Sequence, residues 1–127
     1  MQLLLDTHVL LWALTDDERL GPEAREAITD RRNLVCVSAA SAWEITIKAA
    51  LGKLRAPADL AVALRAAGFE PLAISVDHAV AVGHLPDHHR DPFDRILLAQ
   101  AITEGLTLVS RDPAMRPYGA ALLSPEE

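Results

Sequence analysis

The sequence predicts an α/β domain in which a central parallel sheet is flanked by helices, and three observations carry that expectation. Short, almost wholly apolar runs recur at QLLLD (2–6), NLVCV (33–37) and LTLVS (106–110). Such runs suit strands buried on both faces rather than a sheet with one wet face. Between them lie segments of helical length, several opened by proline or closed by glycine. Strand and helix alternate along the chain, which is the order of a layered α/β fold.

Taken in order, the run at 2–6 is the first strand and a helix is expected over 8–14. Gly21-Pro22 breaks the chain and opens a helix over 22–31. The strand at 33–37 leads into a helix over 39–51, and Pro57 opens another over 57–67. PLAIS (71–75) is a weaker strand, followed by a helix over 76–83 that ends at Gly83. Pro92 and Gly105 bound the helix at 92–104, which feeds the strand at 106–110. AALLS (120–124) is a second weak strand. No repeat, linker or low-complexity tract interrupts this pattern, so residues 1–127 read as a single domain.

The 127 residues can bury a real core without disulfides or structural metals. A net charge of −6 opposes long-range attraction to nucleic acid, so any such role must rest on local basic residues. The single cysteine, Cys36, lies in an apolar run and excludes an intrachain disulfide. Its expected place is the core, and Trp12 and Trp43 are likewise expected as core residues. The opening MQLLLDTHVLLWAL lacks a basic leader and carries Asp6 and His8 within its apolar stretch, so it is not read as a signal peptide. Nothing approaches the length of a membrane span, and a cytoplasmic protein is expected.

Chemistry enters with HRDPFDRILLAQA (89–101). Asp91 and Asp94 could simply cap a helix whose first residue is Pro92. Yet Asp94 shares a stripe with Leu98, Ala101 and Gly105, the face expected to turn inward. In a parallel sheet the carboxyl ends of strands and the amino ends of the neighbouring helices share one edge, where ligands bind. Asp6 ends the first strand, Glu44 lies early in the helix after the second, and Asp112 follows the strand at 106–110. Topology therefore gathers four carboxylates. Each has a plainer alternative: Asp6 as a cap, Glu44 paired with Lys48 one turn on, Asp112 as a turn residue before Pro113. Two carboxylates about 4 Å apart repel by roughly 4 kcal/mol at an effective dielectric near 20, and a hard divalent cation would remove that penalty. Oxygen ligands without cysteine or converging histidine suit Mg²⁺ or Mn²⁺ better than Zn²⁺. The Asp6-Thr7-His8 spacing and the histidines His84, His88 and His89 are the residues a zinc hydrolase would need; surface positions are the expectation for the latter three.

LLLDTHVLLW, SAASAWEITIK with GKL after it, HRDPFDRILLAQA and LTLVSRD resemble, in this order, the PIN domain of VapC-type toxins. The resemblance implies a three-layer PIN-like fold and a metal-dependent endoribonuclease. It makes Asp6, Glu44, Asp94 and Asp112 the acidic quartet and Ser110 its small hydroxyl residue, where threonine is commoner. It implies Mg²⁺, with Mn²⁺ as a substitute, held mainly by Asp6 and Asp94, while Glu44 and Asp112 hold water or a second ion. Water activated by the cation would attack in line, leaving a 5′-phosphate and a 3′-hydroxyl. A cognate antitoxin and a toxin homodimer are also implied. Asp91 departs from the simplest pattern as an extra acid. Lys48, Arg95 and Arg111 adjoin the acids in sequence and could meet RNA phosphates or remain on a solvated surface. Two other classes stay open: a metal-dependent phosphatase of small phosphate esters, and a non-catalytic binding module whose acids cap helices or dock a basic peptide.

Overall fold

A computed structural model describes residues 1–87, 91–118 and 121–126. The first strand, β1 (Gln2–Leu5), runs directly into α1 (Thr7–Thr15), followed by α2 (Pro22–Thr29) and β2 (Leu34–Ser38). Then come α3 (Ala39–Ala50), α4 (Leu60–Ala66), β3 (Glu70–Leu72) and α5 (Val76–Val82). The chain closes with α6 (Pro92–Glu104), β4 (Thr107–Val109), a 3-10 helix over Pro113–Tyr118 and β5 (Leu122–Leu123). The five strands lie in the order β3-β2-β1-β4-β5 and every pairing is parallel. Helical crossovers supply the long returns that parallel pairing demands.

β1 is the centre strand, with Leu4 facing Cys36 of β2 on one side and Leu108 of β4 on the other. Side chains alternate across the sheet and so build two cores. Leu3, Leu5, Val35, Val37 and Val109 join Val9, Leu10 and Trp12 of α1 and Ile28 of α2 on one face. Leu4, Cys36 and Leu108 join Leu97, Leu98 and Ala101 of α6 on the other. Cys36 is buried and unpaired, and burial is the main cause that pushes its thiol pKa up, with the charges of Glu70 and Glu104 adding to it.

Sequence signals mark most boundaries. Pro92 opens α6 where Asp91 accepts the Phe93 N–H, and the helix stops at Gly105, whose φ of 67° is left-handed and costs glycine little. α4 is shorter than the expected 57–67 because Asp59 accepts the Val62 N–H and starts the helix there, leaving Pro57 outside. The 3-10 helix is an addition: the Asp112-Pro113 turn continues, and Met115 and Tyr118 plug the second core. Trp12 is buried as expected, but Trp43 is not a core residue. It is 62% exposed, set roughly 100° around α3 from the inward-facing Glu44, with its ring edge-on to Phe93. His84 is exposed, while His88 and His89 fall outside the described residues. No helix among the described residues is long and apolar enough to cross a membrane.

Candidate active site

Four chain segments converge at the carboxyl edge of the sheet around a cleft of about 200 Å³. Its walls carry Asp6 at the β1–α1 junction, Glu44 in α3, Asp91 and Asp94 at the start of α6, and Asp112 after β4. All five acids therefore share one small space. Lys48, Arg111 and the exposed His8 are the cationic or titratable groups on the same walls.

Local bonding fixes each acid. Asp6 is the N-cap of α1, accepting the Val9 N–H at 2.9 Å, and it is 6% exposed. Capping and cleft lining thus occur in one residue. Its pKa is raised: burial is the chief cause and the Asp112 charge adds to it, against the Ser110 hydroxyl, the Val9 amide and the nearby His8. Buried Ser110 also accepts the Asp112 backbone N–H at 3.2 Å, so one hydroxyl ties two acids together. Asp112 in turn accepts the Ala114 N–H and begins the 3-10 helix. Asp91 accepts the Phe93 N–H at 2.9 Å and, more weakly, the Asp94 N–H at 3.4 Å, which makes it the cap of α6. Asp94, half-buried, stands one turn before buried Leu98 on the inward stripe.

Glu44 is 4% exposed, and both of its oxygens are engaged. Thr7 Oγ1 donates to Oε1 at 2.5 Å and Lys48 Nζ donates to Oε2 at 2.5 Å. The helix pair with Lys48 and a place in the cleft are therefore both real. Thr7 was not singled out by sequence; its signal is a buried hydroxyl at the first position of a helix, between Asp6 and His8. Arg95 does not face the cleft. Its guanidinium donates to the carbonyls of Val82, Leu85 and Pro86, fastening the end of α5 to α6. Arg111 lies over the Trp12 ring, with its guanidinium carbon 5.0 Å from the ring centroid.

Among the described residues no group of three or more His, Cys, Asp or Glu side chains is placed to hold an ion directly among themselves. A buried carboxylate whose charge is disfavoured, beside other carboxylates, nonetheless fits a hard cation bound through one or two carboxylates and completed by water and substrate oxygen, as Mg²⁺ is. A larger groove of about 770 Å³ opens beside the amino ends of β2 and β3, over Ile28, Val35 and Phe69. Both acids on its walls are paired with arginine, Asp16 with Arg25 and Asp30 with Arg32. Size alone does not mark the site.

A parallel α/β sheet with carboxylates gathered at its carboxyl edge matches a known class: the sequence fits the PIN domain over residues 3–120, and the chain belongs to the PIN-domain family. It is 31% identical over 122 residues to ribonuclease VapC22 of Mycobacterium tuberculosis, spanning 91% of this chain and 90% of that protein. Ribonuclease VapC16 of the same organism is 48% identical over 61 residues, 45% of this chain and 42% of the relative. In fold, the chain is similar to VapBC2 from Rickettsia felis, whose crystal structure is bound to a promoter DNA fragment. That likeness has a TM-score of 0.72 at 16% identity and covers 97% of this chain and 98% of the other. FitAcB from Neisseria gonorrhoeae is similar with a TM-score of 0.65 at 22% identity, each chain covered to 97%.

Proposed function

We propose that this protein is a divalent-cation-dependent endoribonuclease, the toxin of a type II toxin-antitoxin pair, that cuts RNA phosphodiester bonds to leave 5′-phosphate and 3′-hydroxyl ends. The observation that carries this reading is the convergence of Asp6, Glu44, Asp94 and Asp112 from four separate elements on one 200 Å³ cleft. The VapC22 relative, similar over nine-tenths of both chains, supports RNA as the substrate.

Asp6 and Asp94 are the residues to hold Mg²⁺ or Mn²⁺, with Glu44 and Asp112 around them. The bound cation would supply positive charge to the scissile phosphate and make a water a better nucleophile. The chain's own share is orientation. Ser110 and the Val9 amide fix the Asp6 carboxylate, and Asp91 sets the first turn of α6 so that Asp94 points inward. The aligned start of α6 adds a partial positive charge at the same edge. Arg111, on the cleft wall, would meet substrate phosphate by turning from its exposed pairing with Glu126 at 3.6 Å. A cognate antitoxin that covers the cleft, and a homodimer in the cytoplasm, complete the reading; the VapBC and FitAB assemblies of similar fold support the first of these.

The test is incubation of the antitoxin-free protein with total cellular RNA and Mg²⁺ or Mn²⁺, alongside Asp94→Asn and a chelator. Discrete fragments with 5′-phosphate ends, lost in both controls, are expected. Rapid hydrolysis of chromogenic phosphate esters with intact RNA would instead make the protein a small-molecule phosphatase. Intact RNA with no cation uptake would leave the acids as helix caps in a binding module.

A further inference from the structure

The Glu44–Lys48 pair holds a charge balance that the ribonuclease reading does not use. Each Glu44 oxygen receives a short side-chain donor, the Thr7 hydroxyl on Oε1 and the Lys48 ammonium on Oε2, both at 2.5 Å. Thr7 is itself buried and contacts the Ser41 hydroxyl at 3.3 Å, so that donor is fixed within the core. Lys48 differs. Its side chain is 37% exposed, against 6% for Glu44, and lysine carries a compact charge on a flexible stem. One partner of Glu44 is locked and the other can leave.

Lys48 also has somewhere to go. Besides the acid cleft it lines an adjoining hollow of about 380 Å³ whose walls include His8, Lys53, Leu11 and Leu54. That hollow brings basic and apolar groups to the mouth of an otherwise acidic site, in a chain whose net charge is −6. A polyanion can reach the acids most readily along such a side.

Building on the ribonuclease reading, we infer that Lys48 is a positioning residue that works as an exchangeable counter-ion: it holds Glu44 in the RNA-free protein and passes to a substrate phosphate entering past Lys53, which releases Glu44 to the cation. Because binding energies are reciprocal, RNA and cation then bind cooperatively. In the RNA-free protein the ammonium competes with the metal for Glu44. The expected consequences have opposite signs, which a merely structural lysine would not give.

The experiment compares wild type with Lys48→Met, Lys48→Gln and Lys48→Arg, each checked for folding by circular dichroism. Mn²⁺ binding without RNA is titrated by electron paramagnetic resonance. Binding of a single-stranded RNA oligonucleotide is measured separately in chelator, where cation-dependent cleavage is silent. Removing the charge is expected to tighten Mn²⁺ about tenfold and to weaken RNA several-fold, with Arg close to wild type in the Mn²⁺ arm. Unchanged or weaker Mn²⁺ binding in both folded neutral variants, or undiminished RNA affinity, overturns the exchange. If one neutral variant fails to fold, the other decides. RNA left uncut by folded, antitoxin-free wild-type protein with Mn²⁺ would sink the ribonuclease reading itself, while the Mn²⁺ arm would still report whether Lys48 competes for Glu44.

Discussion

Two regions bury polar side chains, and only one of them resembles a site. At the corner where α5 packs on α6, His78 is 2% exposed and Gln100 wholly buried. His78 Nδ1 accepts the Ser75 N–H at 3.0 Å and Ser75 Oγ accepts the His78 N–H, a reciprocal cap on α5. The other ring nitrogen lies 2.7 Å from Glu104 of α6. Acid meets base there, and the network fastens one helix to another. In the cleft, among the described residues, five carboxylates face only two cationic side chains, Lys48 and Arg111, and burial works against the Asp6 charge. Burial of polar groups therefore does not by itself identify function; an excess of carboxylates brought from separate elements to one cleft says more.

Substitutions can break this contrast, and the largest effect is expected at Asp6. Asp6→Asn keeps the acceptor for the Val9 amide but removes the charge, so cleavage should fall by about 100-fold or more. Stability should move the other way. A carboxyl whose folded pKa is raised contributes stability that is present below its unfolded value and is lost as pH rises through the folded one. The cation-free wild type should therefore be less stable at pH 7 than its amide variant, and the gap in Tm should close as the pH falls through the raised value toward the ordinary aspartate range. Thermal melts in chelator across that range check both the sign and the window.

The structural corner should answer in the opposite sense. His78→Ala is expected to lower unfolding free energy by about 2–3 kcal/mol, through the lost cap and the lost Glu104 partner, while cleavage per folded molecule stays at the wild-type rate. Urea titrations with activity assays on the same samples test this. A large loss of activity in the folded variant would mean that the two regions are coupled. Ser110→Ala sits between them in size, since it frees two acids without removing any charge. A drop of roughly tenfold in kcat/KM is expected, equal to about 1.4 kcal/mol, the range of a hydrogen bond to a charged group. Trp43→Ala should cost least, at most about 1 kcal/mol from the lost edge contact with Phe93.

Fold and site were unequally legible in the sequence. Strands buried on both faces are apolar without interruption, so β1, β2 and β4 stood out, and Pro92 and Gly105 fixed both ends of α6. β3 and β5 lie at the sheet edges; β3 is as long as β4 but largely exposed, and so lacks the continuous apolar run of a strand buried on both faces. The convergence of the acids followed from parallel topology, and the cleft does bring Asp6, Glu44, Asp94 and Asp112 together. Their assignment as ligands remains the proposal made above. What the sequence could not supply was direction around a helix. Trp43 looked like core, yet it lies on the open side of α3, and Arg95, open between a phosphate contact and a solvated surface, does neither: its guanidinium turns to the carbonyls of the α5 end. His78 gave no signal, because a lone histidine in VDHAV reads as surface until α6 is laid across it.

Cys36 gives the protein a built-in reporter. It occupies the second strand of the sheet, paired to β1 on one side and β3 on the other, with its sulfur in the α6-facing core and its thiol pKa raised. Thiolate is the reactive form, so the native chain should resist alkylating reagents on both counts. The edge strand β3 can fray, but the sulfur lies under α6 and beside the central strand β1, so labelling should proceed through costly openings that lift α6 from the sheet. With one cysteine in 127 residues, the rate of modification becomes a single-exponential clock for that opening. The same clock, run with and without Mn²⁺, reads how much a cation in the cleft stabilises the whole sheet.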